Sequence, residues 1–386
     1  MILTGKFFLG LIILFFSINN SFAQEELVTL KKNYNVRILL AESPSDQTHW
    51  TLETDQGVVF VDPSNPNNKL KYAANNLTIT YQKGYWHINN KKFNTNRVLI
   101  IPCKDYLTFN INQYKGAILL DSRNDKTYLI NILDLEDYVY CVLKTESWPG
   151  WPLEVNKVFA IACRTYAIHM ITHNNKKNSY HLKNSNLHQT YKGMHTRDDL
   201  KLAVEQTKGL FLAHNNKPII AMFDICCGGV IPSCIDGFDF VKAPYLARDY
   251  ACTHCKRCKV FNWSAEYSLD QLEKILQQEI NSLKKLKTIK INKKDKAMLT
   301  KEVMVVGSSG WHALPIKKIY SLLKDKIKSF CFSVTTQGKQ IVFTGKGFGH
   351  HLGICQWGAR EMVRDGWKFE QVLEFYYPGT RFMKLI

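Results

Sequence analysis

Glu146 stands at the end of an apolar segment, in Lys144-Thr145-Glu146-Ser147, and the turn Trp148-Pro149-Gly150-Trp151-Pro152 follows at once. A carboxyl packed beside aromatic rings is poorly hydrated as an anion. Its pKa therefore rises toward neutrality, where it can donate a proton as a general acid. A glutamate near a helix terminus can equally be a terminal charge, and the position alone does not choose. The second chemically loaded stretch is GKGFGHHLGICQWGA, Gly345 to Ala359. Its five glycines permit close backbone approach or tight turns. His350, His351, Gln356 and Trp357 add polar and stacking groups, which suit a sugar: ring faces stack on Trp and hydroxyls bond amides. No GK[ST] follows and the third glycine of a dinucleotide fingerprint is missing, so neither phosphate-binding motif is present.

Cys252, Cys255 and Cys258 form two overlapping CxxC spacings, with His254 between them and Cys226, Cys227 and Cys234 upstream. Thiolates so spaced can hold zinc tetrahedrally at about 2.3 Å, and in an oxidising compartment they can form disulfides. Both readings stay open. Either is structural rather than redox-active, because no thioredoxin-like βαβ pattern surrounds the cluster. Cys141, Cys163, Cys331 and Cys355 lie in apolar surroundings and read as packing residues.

These groups need elements to hold them. Pro152 suits the first position of a helix, and Leu153, Val155, Val158, Phe159, Ala162, Ile168 and Ile171 give that helix a broad buried face as far as about His173. From Tyr34 to Ser122, short runs such as VRILLAE, GVVFVD and YLTFNI alternate with turn residues and read as strands. Residues 24–112 are thus a β-rich N-terminal region, and no fixed-period repeat is visible. Later segments mix strands with helices expected over 268–286 and 358–377. The lysines between Lys284 and Lys301 read as a solvated surface stretch that could accept an insertion or bind a partner. The fold class expected is α+β, a mixed α/β body.

The 386 residues suffice for two or three domains and a core that needs no covalent staples. Met1 to Ala23 carries Lys6, then FFLGLIILFF, then a polar stretch ending in Ser-Phe-Ala, the pattern of a cleaved secretory signal peptide. That apolar run is shorter than a bilayer-spanning helix, so export across the inner membrane to the periplasm or cell wall is expected. All 11 cysteines lie beyond it, and the odd number leaves at least one without an intramolecular disulfide partner. The formal charge of +18 points to an anionic partner. In an exported chain that partner is a wall polymer or lipid headgroup rather than nucleic acid, unless the excess lysine serves only solubility.

The segments YKGAI, LEDYVYCVLKTES, WPLEVNKVFAIACRTYA, HQTYKG, AVEQTKGL, CCGG, APYLA, GKGFGHHLGICQWGA and YYPGTRF, in this order from about Tyr114 onward, resemble the SpoIID family. That family includes stage II sporulation protein D and the LytB-type amidase enhancers. The resemblance implies a peptidoglycan-cleaving domain over residues 113–386 and a lytic transglycosylase that cuts between MurNAc and GlcNAc to leave 1,6-anhydro-MurNAc ends. Glu146 matches the family's catalytic acid. One carboxylate suffices because the sugar's own 6-hydroxyl is the nucleophile, so no cofactor is required for catalysis. Glu154 is the conceivable second carboxylate, although its place suits a first-turn helix charge. Gln189 and Tyr191 match the family's S-Q-V-Y segment and Gly228 and Gly229 its G-G turn. Together with His350, Gln356 and Trp357 they are expected along a cleft that binds peptidoglycan glycan strands.

The chain departs from the family where some members bind zinc, with Lys183 and His188 in place of two cysteines. His181 and His188 remain as candidate ligands of a rearranged site. Bulky Trp148 before the proline would narrow the cleft. The alternative implied by the same resemblance is a non-catalytic peptidoglycan binder that enhances an N-acetylmuramoyl-L-alanine amidase.

Overall fold

The computed structural model describes residues 28–30, 34–173, 178–185 and 188–385. The expected signal peptide, residues 1–23, lies outside them. No helix of the described residues is long and apolar enough to cross a membrane.

The N-terminal part is built from two sheets. One has six strands in the order Asn112–Lys115, Tyr106–Phe109, His49–Glu53, Asn76–Gln82, Tyr85–Ile88, Lys91–Phe93. The other has seven, ordered Leu182–Lys183, Asn35–Pro44, Lys126–Asp134, Ala117–Arg123, Arg97–Pro102, Val58–Asp62, Asn65–Tyr72. Trp50, Leu52, Ile79 and Trp86 of the first sheet join Phe60, Val98 and Ile100 of the second in one core. Each fully buried side chain of this size contributes roughly 1.5–3 kcal/mol. The period-two pattern is visible in the middle strand: Ile118 and Leu120 enter this core, while Leu119 joins Leu39 and Ile130 on the opposite face. The hairpin between Ala117–Arg123 and Lys126–Asp134 turns on Asn124 and Asp125, both at positive φ, as a twisted two-residue turn requires. The seven-stranded sheet runs across the 112/113 boundary read from the sequence, because strands on both sides of it share one ladder.

Strand Lys126–Asp134 feeds directly into helix α1, Leu135–Glu146. Asp134 caps it by accepting the Glu136 N–H at 2.8 Å, a contact worth about 1 kcal/mol. The Trp-Pro-Gly-Trp-Pro turn then leads to α2, Leu153–His173, as the sequence predicts. Every residue over 158–165 is buried, so α2 is enclosed on all sides. Arg164, fully buried in α2, donates to both oxygens of Glu136 in α1 at 2.8 and 2.6 Å and to the Leu210 carbonyl at 3.0 Å. α3, Asp198–Gln206, and strand Leu210–His214 follow.

Residues 262–346 form a lobe with a separate apolar cluster. Its strands are Asn262–Ser268, Gln340–Lys346 and Phe332–Gln337 in one sheet and Thr288–Lys294, Thr300–Gly307 and Gly310–Pro315 in another. They are joined by α4, Leu269–Leu276, and α5, Ile316–Leu323. The expected helix over 268–286 stops at Leu276, and the solvated lysine-rich stretch contains a paired strand, Thr288–Lys294, in which Lys290 and Lys293 are exposed. Ile289 is buried between exposed lysines. The chain then returns to the main body with α6, Gln356–Arg364, and α7, Phe369–Tyr376. The single helix expected over 358–377 is split because Gly366 takes φ +93° after Asp365.

Candidate active site

Glu146 is the last residue of α1, half-buried where that helix meets the start of α6. Its Oε1 accepts the Thr190 N–H at 2.9 Å. Its backbone carbonyl accepts Gln356 Nε2 at 3.1 Å. Burial lifts the carboxyl to about 7, and the Thr190 hydrogen bond only partly opposes this. Gln356 also accepts the Trp148 indole N–H at 3.3 Å, so one amide ties the glutamate's main chain to the neighbouring aromatic turn. Trp148, 46% exposed, stacks on Trp151 with ring centres 6.3 Å apart. Trp151 in turn meets Trp357 edge-on at 6.3 Å. A half-buried acid beside a partly exposed indole and a fixed amide is equipped to protonate a leaving oxygen on a stacked sugar.

Gln189 precedes Thr190 and is buried; its Oε1 accepts the Tyr138 hydroxyl at 2.7 Å. Its Nε2 is enclosed with no partner among the described residues, a donor that calls for a ligand or water. Tyr191 is not on a cleft wall. It is fully buried, donates to Asn131 Oδ1 at 2.6 Å and packs between Tyr114 and Tyr138, supporting the site from inside. Gly228 and Gly229 have φ of +62° and +76°, and a Cβ on Gly228 would sit 2.7 Å from the Gly347 nitrogen. Gly228 allows the close approach of two loops, whereas Gly229 has room for a Cβ and only its positive φ favours glycine. His350 is exposed on the glycine-rich loop, with Nδ1 accepting the Leu352 N–H at 3.1 Å.

Glu154 is occupied elsewhere. Burial works to raise its pKa, yet Lys157 at 2.7 Å and the Phe369 N–H at 3.1 Å hold it below the usual carboxylate range. Asp224 is a buried carboxylate the sequence reading missed. Burial raises it to about 8 although Oδ2 accepts the His351 N–H at 2.7 Å. A lone Asp in an apolar run was its only signal.

The rearranged zinc site does not fit. His181 Nδ1 already accepts the Arg37 N–H at 3.2 Å and His188 Nδ1 the Lys183 N–H at 3.0 Å. No third ligand joins them among the described residues. Of the cysteines read as metal ligands, Cys252 and Cys255 converge with Cys227 and Cys355, whereas Cys258 lies outside that foursome beside Cys226. Cys355, expected only to pack, is one of the four.

The raised pKa of Glu146 has a sign for stability. Proton binding favours the folded state, so the contribution is complete below about 4.5 and is lost as pH rises through about 7. Its limit is about 3 kcal/mol. Glu146→Gln should therefore gain on the wild type in denaturant melts as pH climbs from about 5 to 8. A pH-independent difference would contradict this burial.

Residues 123–214 match the family model described as Stage II sporulation protein, SpoIID. Over those residues the chain is similar to the SpoIID family. This SpoIID match contains Glu146, Gln189 and Tyr191, whereas residues 245–353 match a separate domain of unknown function, DUF8618. An uncharacterized protein of Brachyspira hyodysenteriae is 29% identical over 284 residues, covering 73% of this chain and 75% of that protein. The amidase enhancer of Bacillus subtilis is 24% identical over 283 residues, 62% of this chain and 39% of the relative. Stage II sporulation protein D of the same organism is 23% identical over 265 residues, 64% of this chain and 74% of the relative. The SpoIID match over residues 123–214 and these relatives support a cell-wall-related function.

Proposed function

We propose that this chain is an exported lytic transglycosylase acting on peptidoglycan glycan strands in the periplasm or wall. The observation that carries the reading is Glu146, a half-buried carboxyl raised to about 7 and oriented through Thr190 and Gln356. Protonated Glu146 gives its proton to the glycosidic oxygen between MurNAc C1 and GlcNAc C4. The C1–O bond breaks with its electron pair on the departing oxygen, and positive charge develops at C1. The MurNAc 6-hydroxyl oxygen closes on C1, and its proton returns to the Glu146 carboxylate. Water is not consumed, so the usual second carboxylate of a glycosidase is unnecessary. The engagement of Glu154 by Lys157 and Phe369 accords with that scheme.

Mass spectrometry of glycan strands incubated with the mature protein tests it. Products ending in 1,6-anhydro-MurNAc support transglycosylation. Reducing ends would mean hydrolysis, and binding without release would favour the second reading, an amidase enhancer. That reading draws on the similarity to the enhancer of Bacillus subtilis. Gln356→Ala removes the clamp on the Glu146 carbonyl and Trp148. It should lower turnover about tenfold, the equivalent of about one hydrogen bond, while leaving the pH midpoint in place. An unchanged rate would remove Gln356 from the positioning role.

A further inference from the structure

Four cysteine sulfurs, those of Cys227, Cys252, Cys255 and Cys355, lie within 4.8 Å of one another, and all four residues are buried. Three separate chain segments supply them. Cys227 and Cys255 Sγ are 3.6 Å apart, and four sulfurs around one zinc at 2.3 Å stand about 3.8 Å apart. We infer that these four cysteines form a tetrathiolate zinc site that fixes the start of α6 against the main body. Four thiols converging on one point exceed what packing alone asks of cysteine, and an all-sulfur tetrahedron selects zinc or an iron–sulfur cluster.

The surroundings are those of bound thiolates. Cys355 Sγ accepts the N–H groups of Cys227 and Gly358, each at 3.3 Å, and the Tyr376 hydroxyl lies 3.2 Å from Cys252 Sγ. Such outer contacts orient ligands and offset their charge. Gly358 has no room for a side chain, since a Cβ would lie 2.1 Å from Tyr376 Oη and 2.8 Å from Cys252 Sγ. A zinc tetrathiolate carries a net double negative charge. Arg248, 1% exposed, donates through Nη1 to the Tyr250 carbonyl and interacts electrostatically with the buried carboxyl of Asp224, while among the described residues its Nε and Nη2 have no hydrogen-bond partner. Its guanidinium sits 5.6 Å from the ring centre of Tyr376, the residue whose hydroxyl reaches Cys252. A buried cation is costly unless opposing charge surrounds it, and the metal-bound thiolates would add to that charge. Binding releases the four thiol protons to solvent and involves no electron transfer.

Metal analysis of the full-length mature chain, purified without chelator, tests the assignment. About one zinc per chain is expected. Cobalt substituted for it should show the charge-transfer and d–d bands of a tetrahedral thiolate centre. Cys227→Ser and Cys355→Ser should lose the metal, Cys258→Ser should keep it, and Arg248→Met should weaken zinc about 10–100-fold. Where a ligand variant does not fold, the wild-type zinc content and cobalt spectrum still decide. A metal-free wild type whose unreduced mass is short by two hydrogens per bridge would overturn the site in favour of disulfides. Iron with sulfide, or zinc retained in Cys355→Ser, would overturn it equally.

Discussion

Glu146→Gln cuts the rate of soluble glycan release by about 10²–10⁴-fold, the usual share of a positioned general acid. The substitution is nearly isosteric, and its amide oxygen still accepts the Thr190 N–H that holds Glu146 Oε1 at 2.9 Å. Binding to strands should therefore stay within about twofold, separating loss of the proton from loss of the site. The wild-type rate should fall as pH rises past about 7, because only the protonated carboxyl can serve the leaving oxygen. Activity in the variant within tenfold of wild type would exclude Glu146 as the acid.

Arg164→Met should destabilise the fold by about 2–3 kcal/mol, below the full cost of breaking a buried ion pair because Glu136, 21% exposed, keeps some contact with water. Arg164 is fully buried, and its Glu136 partner also accepts the Gly209 N–H at 3.1 Å, so one contact set joins α1, α2 and the strand after α3. Replacing both members, with Glu136→Leu added to Arg164→Met, should recover a large part of the loss, since no charge is then stranded. Urea melts of the single and double variants measure both. A single-variant loss below about 1 kcal/mol would place the pair among the weak surface bridges.

α2 was readable because Pro152 marks its start and apolar residues fill every side, local signals that tertiary packing does not alter. Glu146 was readable for a similar reason, since the helix that ends there and the aromatic turn beyond it are contiguous in sequence. The four-sulfur cluster was only half visible. Spacing favours Cys252, Cys255 and Cys258, but the short 3-10 helix His254–Arg257 carries Cys258 away. Cys355 arrives through the parallel pairing of Phe223–Asp224 with Ile354–Cys355, a contact between segments far apart in sequence. Tyr191 shows the converse: matching a family segment did not say whether the ring faces a cleft or the core. The lysine-rich strand was hidden by its charge, although Ile289 and Ile291 already alternate with lysines there.

The separate apolar cluster of residues 262–346 should let that lobe unfold as a unit of its own. The lobe joins the main body by two neighbouring crossings, where the Gly347 N–H donates to the Phe261 carbonyl at 2.9 Å, and by Asp236, whose N–H donates to Asp295 at 3.2 Å and whose carbonyl accepts Lys301 Nζ at 2.8 Å. Heat or denaturant can therefore melt the lobe and stop at that seam. The partly unfolded chain would keep Glu146, α2 and the two N-terminal sheets assembled, with the glycine-rich loop released at one end only.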